Sequence, residues 1–362
     1  MTDFDLAVLG GGPAGTSAAI TAARAGANVV LFERGRIPRH KVCGEFVSPE
    51  ALALLRSLCG GLLDANTLVQ SASTIDRARV FAEGYCYQIP LNPPGVSISR
   101  FVLDDMLWRA TISAGVKCLQ QTAVESVHQN GTSRFEILSS AGKVWARAVI
   151  NASGRWSNLN RRDDLTHREQ WLGLKCHFNS NEGFFSTDLY FFPGGYCGVQ
   201  PVGDGRVNTS AVVRTDMATS LDEVLAADPQ LRTRSREWKS AIEPISTFPL
   251  TFHRPVPTQG LTLNVGDAAA FIDPFLGDGI SLALHSGALA ARDLQTYFCG
   301  RASLAQVVEG YRTAYLERFA AKFRIASWLR SLLPLSPSLR KAVALALTAP
   351  GLMRFLMHRT RV

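Results

Sequence analysis

The sequence predicts an α/β protein: a doubly wound nucleotide-binding unit, a second unit built mainly of β-sheet, and helices that close the C-terminus. Three stretches carry this expectation. Phe4 to Arg34 reads as strand, tight turn, helix and strand; Leu261 to Leu284 supplies a strand, a loop and a glycine-opened helix; and Trp171 to about Leu250 is patterned mostly as strand.

In the first stretch an apolar run, Leu6 to Leu9, meets Gly10, Gly12 and Gly15 in GxGxxG spacing, with Pro13 and Ala14 between them. Gly10 allows the turn, Gly12 lets backbone approach a pyrophosphate, and Gly15 lets the helix pack against the strand. The helix N-terminus then presents N–H groups and a positive dipole to phosphate. A second apolar run ends in Glu33 and Arg34, with Glu33 placed to accept hydrogen bonds from an adenosine ribose; a carboxylate there repels a 2′-phosphate. This is a Rossmann-type dinucleotide site.

Next comes a polar loop, Arg36 to Pro49, with Arg39, Lys41, Cys43, Gly44 and Glu45, followed by a helix to about Leu58. Ile75 to Ile98 is β-rich, with turn residues at Asn92 to Gly95, and reads as strands inserted from the other unit. Arg100 heads a helix that stops at Gly115. Val116 to Ala146 reads as strands, including one around Val124 and a turn at Asn130-Gly131, and Ala148 to Gly154 as a buried strand ending in a small-residue turn. The resulting division is residues 1–72, 99–165 and 256–300 for the nucleotide unit, 73–98 and 166–255 for the sheet unit, and 301–362 for the C-terminal helices.

Within Leu261 to Leu284, a strand delivers Gly266 and Asp267, a loop carries Pro274, and Gly277, Asp278, Gly279 and Ile280 open a helix. An extended FAD needs such contacts beyond its adenine half. Asp267 is placed to bond a ribityl hydroxyl or bridge to the pyrophosphate. The helix N–H groups would sit at the N1 and C2 carbonyl edge of the flavin, where the dipole stabilises the reduced anion.

Gly10, Gly12 and Gly15 with Glu33, the helix headed by Arg100, the INASG turn at Gly154 and GDAAAFIDPFLGDGI together resemble the flavoprotein superfamily of aromatic hydroxylases, flavin-dependent halogenases and geranylgeranyl reductases, over roughly residues 1 to 300. KVCGEF, FPGGYCGVQPVGDGRVN and GDAAAFIDPFLGDGI are most similar to the geranylgeranyl-reductase branch. The chain departs from that branch at Glu45, Gly198 and Gln200. The resemblance implies an FAD-binding domain, a substrate-binding sheet domain and a CGE loop beside the flavin. It also implies a reaction: hydride passing from reduced flavin to a double bond of a lipid-like, prenyl or polyketide substrate. A monooxygenase hydroxylating an aromatic or quinone-like compound is the alternative on this scaffold, and a flavin-binding redox sensor or carrier without turnover is the third reading.

Side-chain chemistry narrows the candidates. Cys43 reads as a proton donor or adduct former at the flavin, or as a small group lining it. Glu45 reads as an acid whose pKa burial would raise, or as a loop carboxylate paired with Arg39 or Lys41. Lys175 and His177 share one strand face opposite Leu174, Cys176 and Phe178, which aims them at the substrate cavity or at solvent. Tyr190, Phe192 and Tyr196 read as the lining of an apolar pocket or as ordinary strand core, and Phe271 and Phe275, which flank Pro274, as pocket lining. With a single GxGxxG, the reductant is NAD(P)H visiting transiently or an electron-donating protein.

Composition excludes other classes. The chain has 362 residues, 46% apolar and 19% charged, enough for two compact units. Seven scattered cysteines without a CxxC indicate neither a disulfide framework nor a metal site, and no signal peptide is visible, so a cytoplasmic setting is expected. The net charge of +8 comes without a nucleic-acid motif; much of it lies near the C-terminus, at Arg318, Lys322, Arg330, Arg340, Lys341 and Arg354 among others. Basic and apolar together, interrupted before the roughly 20 residues of a span, that stretch points to peripheral membrane contact.

Overall fold

The computed structural model describes residues 3–63, 72–130, 134–155, 170–180 and 182–331. The Asn130-Gly131 turn and the helical and membrane-contact expectations beyond residue 331 lie outside the described residues.

Strand β1 (Asp3–Leu9), helix α1 (Pro13–Arg24) and β2 (Val29–Glu33) form the opening unit, with β1 and β2 parallel. After the loop at 34–45 come β3 (Phe46–Val47), α2 (Pro49–Cys59), β4 (Ala72–Ala82), β5 (Tyr85–Ile98) and α3 (Arg100–Ser113). Four strands follow: β6 (Lys117–Gln120), β7 (Val124–Asn130), β8 (Arg134–Ser139) and β9 (Gly142–Asn151). The next segment holds β10 (Trp171–Asn179), β11 (Ser186–Phe192), β12 (Gly195–Pro201), β13 (Arg206–Arg214), α4 (Leu221–Ala227), α5 (Pro229–Arg234), β14 (Lys239–Ser240) and β15 (Ile245–Leu250). The described chain ends with β16 (Thr258–Gln259), β17 (Thr262–Asn264), α6 (Gly279–Phe298) and α7 (Leu304–Arg330).

The first sheet runs β16-β17-β9-β1-β2-β6, parallel from β17 to β6, with β7 and β8 joined to the early part of β9. Strands covered on both faces need near-continuous apolar runs, which Leu6 to Leu9 and Val29 to Phe32 supply, every one of them buried. On this sheet α1 and α6 pack very closely. A Cβ at Gly15 would lie 1.8 Å from the Gly10 carbonyl oxygen, and one at Gly287 of α6 would lie 2.1 Å from the Ala14 carbonyl oxygen. Ser17 adds a hydrogen bond to the Leu284 carbonyl at 2.7 Å.

The second sheet runs β14-β10-β13-β12-β11-β4-β5-β3, with β15 also paired to β10. Alternation splits its residues between two faces. Leu174, Cys176, Phe178, Tyr190, Phe192, Cys197 and Val199 pack under α4 and α5, which are started by the Ser220–Glu223 capping box and by the Asp228 side chain. The other face looks toward the first sheet.

Two expectations about the chain path are corrected. β4 and β5 do not turn at Asn92 to Gly95; they turn at Glu83-Gly84, both at positive φ, the geometry a two-residue hairpin requires. Residues 91–94 are instead absorbed where the register shifts between Ile75 and Arg77. Phe46–Val47, assigned by sequence to the nucleotide unit, pairs with β5 in the second sheet. Among the described residues no helix is long and apolar enough to cross a membrane.

Candidate active site

Between the two sheets lies a cavity of about 930 Å³. One wall carries Gly10, Gly12, Pro13, Ala14, Glu33, Arg34, Arg100, Val124, Gly154 and Asp267; the loop before α6 and its start add Pro274, Gly277, Gly279 and Ile280. The 39–46 loop contributes Lys41, Cys43, Gly44 and Glu45, and the facing wall Leu189, Tyr196, Gly198, Gln200, Ser210, Val212, Phe271 and Phe275.

The glycine loop fits a dinucleotide on steric grounds. Gly10, at φ +117°, passes so close to β9 that a Cβ would lie 2.3 Å from the Ala152 carbonyl oxygen. No side chain caps the N-terminus of α1. A Cβ at Gly12 would meet nothing within 4 Å, so its absence opens the cradle to a ligand and is not required by packing. Gly15 and Gly266 do not line the cavity; Gly15 serves the helix-strand contact, and the Gly266 N–H donates to Ser286 Oγ at 2.9 Å.

Glu33 lines the cavity beside the glycine loop. It accepts from the amides of Gly11 at 2.9 Å and Gly35 at 2.7 Å and pairs with Arg39 at 3.1 Å. Burial alone would raise its carboxyl, but Lys41, the two amides and Arg39 together hold it below the usual range. Arg39 is thus a partner of Glu33. Lys41 bonds Asp104 at 2.8 Å, and Arg100 bonds the same carboxylate with Nε at 2.8 Å. Burial opposes ionisation of Asp104, yet Arg100 and Lys41 pull it down to about 2.

Glu45 is fully buried at φ +64°, backbone that a non-glycine residue rarely adopts. Its oxygens accept from the Arg100 amide at 2.6 Å and from Lys175, and share a 2.8 Å hydrogen bond with His177 Nε2. Neither sequence-based expectation for it holds. Lys175 and His177 are its partners in place of Arg39 and Lys41, and although burial pushes its pKa up, the Lys175 charge and the hydrogen bonds from both partners outweigh that and lower it. Lys175 also donates to the Lys41 carbonyl at 3.1 Å, and Asn208 Nδ2 to the carbonyls of Cys43 and Gly44 at 3.1 and 3.0 Å. Lys175 and His177 therefore share the cavity-side face of β10 but are consumed beneath the loop. Cys43 Sγ lies 3.3 Å from the Glu45 amide nitrogen, and the Cys43 side chain lines the cavity.

At the far end, Phe271, Phe275, Tyr196 and Phe252 pack with Trp171 and Leu250. Asp267 lies 3.7 Å from Arg155, whose guanidinium stacks over Phe271 at 4.3 Å. Asp278 turns away from the cavity to the buried Lys322 of α7. Tyr190 and Phe192 are not in the cavity: period-2 alternation puts them on the helix-covered face, where Tyr190 stacks on Phe81 and bonds Arg234 at 3.0 Å.

Sequence reasoning missed His40 and Ser210 as lining residues, and also the buried Asp273; Gln200 stands out in sequence only as a departure from the reductase pattern. Asp273 bonds Arg330 at 2.7 Å and Tyr196 at 3.4 Å, and burial pushes its carboxyl up to about 6. A lone acid in the apolar run FIDPF was the available signal; its partners lie 57 and 77 residues away.

Residues 5–156 match the family model for FAD dependent oxidoreductases. Over 97% of its length the chain is 28% identical to a menaquinone reductase of Mycolicibacterium smegmatis, covering 90% of that protein. It is 26% identical to a digeranylgeranylglycerophospholipid reductase of Thermoplasma acidophilum, with 91% and 87% covered. Among solved structures, a geranylgeranyl bacteriochlorophyll reductase-like protein from T. acidophilum superposes with a TM-score of 0.77 at 23% identity, over 94% of this chain and 90% of that one. A flavin-dependent brominase does so with a TM-score of 0.81 at 20% identity, over 99% and 93%. At these identities the structural likeness speaks for the fold alone.

Proposed function

We propose that this chain, an FAD-dependent oxidoreductase of the superfamily that holds geranylgeranyl reductases, halogenases and aromatic hydroxylases, reduces a double bond of a lipid-like substrate carrying a prenyl chain. The observation that carries this reading is the continuity of the cavity: it leads from the dinucleotide cradle past the start of α6 to a wall of Tyr196, Val212, Leu189, Leu250, Phe271 and Phe275. Such a wall suits an apolar chain. Two curated relatives that span most of this chain are named reductases of a quinone and of a digeranylgeranyl lipid, which supports the same class.

FAD, when bound, supplies the hydride chemistry. The protein's part is placement and charge. Gly10, Gly12 and the N-terminus of α1 would hold the pyrophosphate, Glu33 the ribose, and Asp267 the ribityl chain. Backbone N–H groups at Gly277 to Ile280 would face the flavin edge that gains negative charge on reduction. Cys43 and Gly44 would lie along the ring. Glu45, ionised and fully bonded, is a positioning residue: it fixes that loop to β10 and to the start of α3. NAD(P)H or an electron-donating protein would supply the electrons.

The test is an anaerobic single turnover. Dithionite-reduced holoenzyme is mixed with a prenylated quinone or a digeranylgeranyl lipid, following the flavin absorbance and the product mass. Reoxidation without oxygen and a product still heavier by two hydrogens after air has returned any quinol to quinone is the expected result. Reoxidation only in air, with a product heavier by one oxygen, would replace the reading by monooxygenation.

A further inference from the structure

We propose that Ser210, Gln200 and the side-chain-free position at Gly198 form a subsite for a carbonyl oxygen at the head of an amphiphilic substrate, whose apolar remainder runs toward Tyr196. The proposal rests on the reading above and adds to it a direction of binding.

It follows from the register of β10, β13, β12 and β11. Residues directly opposite one another share a face, so the cavity-side face is built in rows. Val212, Tyr196 and Phe191 form an apolar row; Lys175, Ser210, Gly198 and Leu189 form the next; His177, Asn208 and Gln200 form a polar one. Polarity thus rises along the wall from the aromatic end toward the Gly44-Glu45 loop.

That loop takes up three of the polar groups. Lys175 and His177 bind Glu45, and Asn208 binds the carbonyls of Cys43 and Gly44. Ser210 and Gln200 remain as cavity lining. Gln200 is almost fully buried and gives Nε2 to Ser97 Oγ at 2.7 Å, which uses one of its two amide hydrogens. The Ser210 hydroxyl makes no side-chain hydrogen bond among the described residues. Both can therefore donate to a ligand oxygen.

There is room for that oxygen. A Cβ at Gly198 would lie 3.5 Å from Leu189 Cδ2 and 3.7 Å from Ser210 Oγ, and a Cβ at Gly44 would also lie 3.7 Å from Ser210 Oγ. Two glycines thus flank a notch with a hydroxyl beside it, and nothing in the packing demands glycine at 198. Donors in a buried notch discriminate strongly, because a ligand without the oxygen strips their water and returns no bond.

The test uses holoenzyme with oxidised flavin, titrated through its absorbance with a prenylated naphthoquinone and with the matched prenyl hydrocarbon that lacks oxygen. The quinone should bind more tightly. Ser210→Ala and Gln200→Leu should each weaken the quinone about tenfold and leave the hydrocarbon unchanged. Gly198→Leu, whose first side-chain atom makes only ordinary contacts, should exclude the quinone head while keeping the unfolding temperature. Equal binding of both ligands to the unmodified enzyme, or equal losses for both in Ser210→Ala and Gln200→Leu, would overturn the subsite. Failure of the reductase reading shows itself separately, as the absence of anaerobic turnover with an intact binding pattern.

Discussion

Glu45 combines a strained backbone with complete burial, so its replacement separates two effects. Glu45→Gly relieves the positive φ but leaves Lys175 buried without its counter-charge. Breaking such a pair costs on the order of 3–5 kcal/mol, more than the strain of about 1–3 kcal/mol that is relieved, so denaturant titration should show net destabilisation. Gly12 offers the opposite contrast. Because a Cβ there meets nothing, Gly12→Val should keep the unfolding temperature of the apoprotein and lose the stabilisation FAD provides. That stabilisation is about 2.7 kcal/mol at a hundredfold excess over Kd, and differential scanning with and without FAD reads it.

Asp273 sets a pH dependence. Its folded pKa, about 6, lies above its ordinary 3.8, so the folded protein holds this proton more tightly than the unfolded chain. The contribution is fully present below about pH 4 and is lost as pH rises through 6. Asp104, held down at about 2, has the opposite sign: its contribution is present above about pH 4 and is lost toward pH 2. Asp273→Asn should therefore remove a fall in stability between about pH 4 and 6 and leave the acid limb below pH 4 intact, as measured by unfolding free energy against pH.

Among the elements, α1 and α6 matter most for the site, because each presents its N-terminus to the cavity and each fixes the other. The contact at Gly287 admits no side chain: the obstacle is the Ala14 backbone, which cannot swing aside. Gly287→Ala should cost about 1–3 kcal/mol and weaken FAD binding, since separating the helices displaces Ala14, itself part of the cradle. Helix α7 supports the same assembly from outside. Its Lys322 and Arg330 reach Asp278 and Asp273, the two carboxylates flanking the Pro274 to Gly277 loop. Lys322→Met removes one of these buried links, at a cost on the order of 3–5 kcal/mol, while Arg330 keeps the other; the flavin midpoint potential should shift, which potentiometric titration with redox dyes measures, and an unchanged potential would mean that the link does not position the loop.

At the scale of the whole molecule, the active cavity belongs to neither sheet alone. The first sheet brings the glycine loop and the N-terminus of α1, the second an apolar-to-polar wall, and the 39–46 loop joins them through Glu45, Lys175 and His177. Sequence alone made the glycine loop legible, because GxGxxG between an apolar strand and an alanine-rich helix is a local pattern whose steric reasons act within thirty residues. It determined α6 and the loop before it on the same grounds, along with the alternation of β10 that puts Lys175 and His177 on one face. What those residues meet depends on packing between distant segments. Glu45 finds partners 130 and 132 positions later, and Asp273 finds Arg330 57 positions later. Period-2 alternation marks two faces without saying which one a neighbour will cover, so Tyr190 and Tyr196 look alike in sequence and end on opposite sides. The charge state of a buried group depends on which elements pack against it, so its pKa is decided by the fold.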